Sequence, residues 1–398
     1  MSGSPALAAR MARLGTESAF EVLAKARALE AQGQKIVHLE IGEPDFDTPA
    51  HIVQAAKDAL DGGFTHYVPA AGLPEVREAV GDFFGRTGRP SYPADRCVVT
   101  PGAKPIMYFT ISILCGPGDE VLYPSPGFPM YESIASFVGA TPVAVPLRES
   151  NAFRMDPDEV AGLITDRTKL LILNSPHNPC GSALTRQEVE ALAALAIEHD
   201  LYVLSDEVYW AIAYGAPHAS IATIPGMQER TILLDGCSKT FAMTGWRLGF
   251  AALPTELVEP FTRLVINTVS CTSAFSQRAI LAALTGPWEP IERMVEEFAD
   301  RRSVIVDGLN RIDGISCQEP GGAFYVFPRV ADLGAPSEQV ADHLLNQAGV
   351  ACLSGTAFGA HGQGYLRFSY ANSVDAIRSA LEAVEAALPS LRPQDVAP

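Results

Sequence analysis

The stretch KLLILNSPHNPCGSALTRQEVEALAALAIEHDLYVLSDEVY, residues 169–209, decides the fold. It begins and ends with apolar runs, KLLILN (169–174) and LYVLSD (201–206). Between them, TRQEVEALAALAIEHD (185–200) carries Leu, Ala and Ile at helical spacing. Neither apolar run alternates with polar residues, so each reads as a strand covered on both faces. Two such strands joined by a helix form a parallel crossover unit. Working outward, CVVT (97–100), EVLYP (120–124), TILLD (231–235) and RLGFAAL (247–253) add strands of the same kind. DTPAHIVQAAKDALDGG predicts a helix capped by Asp47 or Thr48, with Pro49 in its first turn and Gly62 near its end. Residues 73–84 predict another. These units assign residues 46–287 to one large α/β domain with a mostly parallel sheet flanked by helices.

Beyond Pro287 the pattern changes. A long helical stretch (288–310), GAFYVFP (322–328), a helix near 337–347, YLRFSYA (365–371) and a last helix from Ser373 to Leu388 describe a smaller α+β domain. The expectation is that residues 1–45 pack with residues 288–398 to complete it.

Composition narrows the function classes. The chain has 398 residues, is 47% hydrophobic and 19% charged, and carries a formal charge of −17. That acidity argues against general nucleic-acid binding, which needs clustered cations. No apolar run reaches the roughly 18 residues of a membrane span. The N-terminus does not read as a secretion signal. Seven cysteines with no C-x-x-C pair suggest reduced thiols, no zinc site and a cytoplasmic protein.

The strand ends carry the chemistry. KLLILN stops at Asn174 with Asn178 in the next turn, and LYVLSD stops at Asp206 with Tyr209 just beyond. TILLD runs into Lys239, and CVVT runs into Gly102-Ala103-Lys104. In open α/β sheets, ligands bind outside the carboxyl ends of the strands. Lys239 is one of six lysines, and none follows it. A lysine kept where arginine is otherwise preferred points to an amine that loses its proton and attacks a carbonyl, as a guanidinium cannot.

Seven motifs in order, IGEPDF, HYVPAAG, TPGAKP, YPSPGFPMY, NSPHNPCG, SDEVY and SKTFAMTGWRLGF, together with Arg367, carry a family resemblance. The chain resembles the class I/II aminotransferases, the fold-type-I enzymes that use pyridoxal 5′-phosphate, and within them the aspartate-aminotransferase-like bacterial branch. The resemblance spans nearly the full length. It implies that Lys239 holds the cofactor covalently, then shuttles a proton between substrate Cα and cofactor C4′. Asp206 pairs with the pyridine nitrogen and preserves the ring as an electron sink. Asn178 and Tyr209 hydrogen-bond the phenolic oxygen, and Phe128 stacks on the ring. Amides of Gly102, Ala103 and Lys104 at a helix N-terminus, Arg247 and Ser238 hold the phosphate. Where some relatives carry a phosphate-binding serine three residues before the lysine, this chain has Gly236. Tyr67 reaches the phosphate from the other subunit of a homodimer with shared sites. Arg367, with Gly42 nearby, grips the substrate α-carboxylate in a bidentate fashion.

The implied activity is transfer of an amino group between an L-amino acid and a 2-oxo acid by a ping-pong cycle. A lyase, cyclase or oxidase acting on an amino acid uses the same constellation and is the alternative. A non-enzymatic binding protein is disfavoured, because Lys239, Asp206, Tyr209, Asn178, Arg247 and Arg367 are all present. No lysine or arginine identifies itself as a distal cation for an acidic side chain. Phe20, Trp210 and Phe358 are the candidates for an apolar pocket, and residues 265–277 are expected near the cofactor or a subunit interface.

Overall fold

The apolar runs form strands where their burial requires it. The computed structural model describes residues 7–391. After a short first strand, β1 (Val37–His38), seven strands build one sheet: β2 (Cys97–Thr100), β3 (Glu120–Ser125), β4 (Thr141–Pro146), β5 (Thr168–Asn174), β6 (Tyr202–Asp206), β7 (Thr231–Gly236) and β8 (Gly249–Ala252). Their order is β2-β8-β7-β6-β5-β3-β4. Within it β4, β3, β5, β6 and β7 are parallel, while β8 runs antiparallel to both β7 and β2.

Successive residues of each strand face opposite layers. Val98, Val121, Leu170, Leu204 and Leu234 pack with Ile106, Tyr131 and Phe261, on helices Lys104–Leu114, Met130–Val138 and Thr255–Thr268. On the other face Val99, Leu233 and Phe250 pack with Val76, Phe83 and Ile280, on helices Pro74–Arg86 and Ala274–Thr285. Leu171 and Val203 meet Val189 and Leu192 of the helix Arg186–Glu198. With both faces covered, the carboxyl ends of β5, β6 and β7 are where functional groups can gather.

The C-terminal part carries β9 (Tyr325–Val326), β10 (Val350–Ala351), β11 (Leu353–Ser354) and β12 (Leu366–Ser369). The order β11-β12-β9 is an antiparallel sheet, and β1 pairs in parallel with β10. Phe298 and Ile305 of the helix Glu289–Leu309 share a core with Ile377 and Val384 of the helix Val374–Ala387. Among the described residues, no helix is long and apolar enough to cross a membrane.

Three local expectations change. The strand expected over 247–253 is shorter, Gly249–Ala252, and begins after Arg247, which adopts a left-handed conformation with φ 53°. The strand β4 was not expected: TPVAVP places prolines at 142 and 146, tolerated here because β4 is a sheet edge. Neither Asp47 nor Thr48 caps the helix Ala50–Asp61, which Pro49 precedes. The Thr48 hydroxyl instead donates to Ala242 O (2.8 Å) and accepts from Trp246 Nε1 (3.0 Å).

The crossover helix is fixed at its start by a capping box. Thr185 Oγ1 accepts from Glu188 N (3.2 Å), and Glu188 Oε2 accepts from Thr185 N (2.8 Å). Replacing Thr185 with Ala is expected to cost about 1 kcal/mol, read as a lower denaturant midpoint with no change in the sheet's circular dichroism.

Candidate active site

Beyond the carboxyl ends of β5, β6 and β7 lies a cavity of about 590 Å³. Eleven residues singled out from the sequence line it: Gly42, Ala103, Lys104, Phe128, Asn178, Asp206, Tyr209, Ser238, Lys239, Arg247 and Arg367. The topology explains the convergence. The neighbouring parallel strands β5, β6 and β7 end in register, with Asn174 opposite Asp206 and Asp206 opposite Leu234. The turns that follow deliver Asn178, Tyr209 and Lys239 to one rim.

Asp206 is the floor. Its carboxylate is buried, accepts from Tyr131 Oη (2.6 Å), and makes no ion pair among the described residues. A longer contact comes from Val208 N (3.4 Å). Burial raises its pKa to about 7, against the opposing hydrogen bonds from Tyr131 and Val208. Behind it, Glu207 and Asp235 share the buried Arg89, whose Nη1 lies 3.7 Å and 2.8 Å from them. Arg89 is thereby committed, and Asp206 is left as a carboxylate awaiting a cation.

Lys239 opens onto the cavity, and its Nζ donates to Gly42 O. Burial lowers its pKa to about 8; Glu43 opposes the shift, and Arg367 and Arg247 add to it. The site therefore supplies an amine with a substantial neutral fraction near neutral pH. Gly42 lets the chain pass this close, since a Cβ there would lie 2.1 Å from Tyr325 Oη.

Arg367 is buried on β12 between the rings of Tyr325 (4.7 Å) and Phe358 (4.9 Å). It donates to Asn178 Oδ1 (3.1 Å) and to Glu40 O, while its Nε has no partner. Of five donors, three or more remain for a carboxylate. The Asn178 side chain, used as acceptor by Arg367, keeps its amide hydrogens to donate. Tyr209 Oη lies 2.7 Å from Tyr325 Oη.

At the other end, Ala103 and Lys104 begin the helix Lys104–Leu114. The expectation for Gly102 needs correction. Its N–H donates to Thr100 O (2.8 Å), so it is not a free donor. Its value is space: with φ 86°, a Cβ there would lie 2.4 Å from Arg247 Nη2. Arg247 and this helix start thus form one cationic cradle. Ser238 lies on the same wall, beside Gly236.

Tyr67 does not line the cavity of its own chain and is 90% exposed. Of the aromatic pocket candidates, Phe20 lines the cavity, and Phe358 lies under Arg367. Trp210 is elsewhere, stacked on Trp288 at 5.8 Å with Arg89 4.2 Å from its ring. Sequence reasoning missed Tyr131, Tyr325, Glu17 and Glu43. Tyr131 stands three residues after Phe128 and Tyr325 lies in GAFYVFP, so both were within quoted motifs. Glu17 carries no motif at all.

The residues fit pyridoxal 5′-phosphate on their own chemistry. A buried carboxylate without a cation suits a pyridinium, a half-buried amine suits an aldehyde, and the Gly102–Arg247 cradle suits a phosphate. Fold and site together define a fold-type-I pyridoxal-phosphate enzyme.

Comparison with known proteins specifies the family. The family model for aminotransferase class I and II matches residues 34–384. An aspartate aminotransferase of Pyrococcus abyssi is 42% identical over 90% of this chain and 93% of its own. The aromatic-amino-acid aminotransferase 2 of Thermococcus litoralis is also 42% identical, with the same coverage. The structure of Thermus thermophilus aspartate aminotransferase with maleate superposes with a TM-score of 0.92, at 36% identity, over 96% of this chain and 100% of that one. The chain belongs to the class I and II aminotransferases, and is a pyridoxal-phosphate-dependent enzyme moving amino groups between L-amino acids and 2-oxo acids.

The strain at Asp206 has a measurable sign. Its folded pKa lies above its unfolded value, so the folded chain holds the proton longer as pH rises from 3.8 to about 7. Stability falls across that window, and above it the cost is about 4 kcal/mol. In the cofactor-free protein, Asp206→Asn is expected to raise the melting temperature at pH 8. The gain should vanish toward pH 4. Equal melting at pH 8 would contradict the strained carboxylate.

Proposed function

We propose that the enzyme transaminates dicarboxylic amino acids, with Arg367 gripping the α-carboxylate and Lys104 meeting the distal one. The supporting observation is the division of the cavity's cations. Arg367 has a partnerless Nε, Arg247 belongs to the phosphate cradle, and Lys239 is the reacting amine. That leaves Lys104, whose ammonium stands 5.6 Å from the Phe128 ring centre and pairs with Glu17, as the remaining cation for a substrate side chain. The names of the Pyrococcus and Thermus relatives agree with this reading. A second reading, aromatic substrates, is favoured by Phe20 at the cavity wall and by the name of the Thermococcus relative.

In this proposal the residues divide the work. When bound, pyridoxal phosphate supplies an aldehyde for the amino group and a pyridinium ring that draws electrons from substrate Cα. Asp206, oriented by Tyr131, would keep the ring nitrogen protonated. Phe128 would cover the ring, and Asn178 and Tyr209 would donate to its phenolic oxygen. The Ala103 and Lys104 amides, Arg247 and Ser238 would hold the phosphate. Lys239, once its amine is free and neutral, takes the proton from Cα and returns it one position away. The first oxo acid leaves without the amino group, which would stay behind with the cofactor until the second oxo acid takes it up, a ping-pong cycle.

The assembly is part of the same proposal. Tyr67, exposed in one chain, completes the phosphate site of a second, giving a homodimer with shared sites. Ile266 (56% exposed) and Val269 (37% exposed), within the 265–277 segment, suit the buried face of such a dimer. Residues 46–287 act as one domain and residues 1–45 with 288–398 as the other. The seven unpaired cysteines suit a cytoplasmic location.

Lys239→Ala is expected to reduce turnover at least about a thousandfold while leaving a folded protein; near-normal turnover would remove Lys239 from its role. Lys104→Met is expected to raise KM for L-aspartate by about tenfold or more, with little effect on L-phenylalanine. Steady-state assays on both donors decide it, and an unchanged KM for aspartate would refute the dicarboxylate reading.

A further inference from the structure

Lys104 does not stand alone. Its ammonium forms an ion pair with Glu17, 87 residues earlier in the chain. Glu17 is the N-cap residue of the helix Ser18–Glu30 and makes no capping hydrogen bond. Its carboxylate pairs with Lys104 instead. The segment before it is tied down by Gly15 N donating to Ser133 Oγ (2.9 Å) and Arg13 Nη2 donating to Phe137 O (3.3 Å). Both partners line the cavity and keep water access, with side-chain exposures of 42% for Lys104 and 19% for Glu17.

The pairing has an electrostatic cause. Lys104 occupies the first position of its helix, the end where the helix dipole disfavours a cation. Arg247, Lys239 and Arg367 line the same cavity. An anion over Lys104 is therefore stabilising, and in the absence of substrate Glu17 supplies it. A carboxylate presented by a substrate would offer Lys104 the same chemistry.

We propose that Glu17 is a specificity-determining residue: a dicarboxylic substrate binds by exchanging its distal carboxylate for that of Glu17 on Lys104, whereas an uncharged aromatic side chain binds with the Glu17–Lys104 pair intact. The proposal rests on the reading of Lys104 as the distal cation. Exchange replaces one carboxylate by another, so Glu17 acts as a built-in competitor that weakens acidic ligands selectively. With the pair intact, the ammonium is neutralised, and Phe20 and Phe128 line the cavity beside it for an apolar ring. One cavity then accepts side chains of either kind without a second cation.

The test is ligand binding to the cofactor-loaded enzyme by calorimetry, with maleate as dicarboxylate and 3-phenylpropionate as aromatic monocarboxylate. Glu17→Gln is expected to tighten maleate roughly threefold to fivefold, the range of a partly exposed ion pair, and to leave 3-phenylpropionate unchanged. Lys104→Met should weaken maleate, and adding Glu17→Gln to it should have no further effect. If Lys104→Met weakens maleate but Glu17→Gln does not tighten it, or shifts both ligands equally, the competitor role is overturned and the Lys104 reading survives. If Lys104→Met leaves maleate unchanged, both fall.

Discussion

The site is organised around one buried negative charge. Asp206 ends β6, at the middle of a seven-stranded sheet, with apolar layers on both sides. A carboxylate there is costly unless something positive meets it. The buried Arg89 is taken by Glu207 and Asp235. Tyr131 orients the group without neutralising it. The fold thus carries an unpaired charge whose natural partner is a bound ring nitrogen. In the proposed role, a stability cost in the empty protein would become binding energy in the loaded one.

The remaining electrostatics follow from that floor. The cations stand on the walls: Lys239 beyond β7, Arg247 with the first turn of the helix Lys104–Leu114, and Arg367 on β12. Each is held by packing that does not use up its function. Arg367 retains spare donors, Lys239 is drawn toward neutrality by burial, and Arg247 lies where a Cβ on Gly102 would displace its guanidinium. The C-terminal residues take part directly, since Arg367 and Tyr325 line a cavity whose floor belongs to the large sheet.

Much of this was legible in the sequence because strand ends are local signals. Asn178, Asp206, Tyr209 and Lys239 each follow an apolar run, and parallel strands deliver such residues to one edge. The family motifs added Arg367 and Phe128, which lie too far along the chain for local patterning to connect. What stayed hidden depended on long-range approach. Glu17 meets Lys104 only because the start of the helix Ser18–Glu30 is brought to the cavity wall, 87 residues away in sequence. The Gly102 N–H is spent on Thr100, and the close approach of Arg247 to this glycine is visible only in three dimensions. Trp210, plausible as a pocket aromatic by its place after Tyr209, is drawn instead to Trp288 and Arg89. The proline-flanked β4 escaped for another reason, since edge strands tolerate residues that central strands reject.

The central claim is that this cavity holds pyridoxal phosphate and uses it to pass amino groups between acids. The most direct measurement is a visible absorption spectrum of the purified protein with pyridoxal phosphate, followed as single L-amino acids are mixed in. The account predicts that L-aspartate or L-glutamate converts the enzyme-bound cofactor band to that of the aminated cofactor, and that a 2-oxo acid restores it. Release of ammonia or pyruvate with no aminated cofactor, or no bound cofactor band at all, would contradict it.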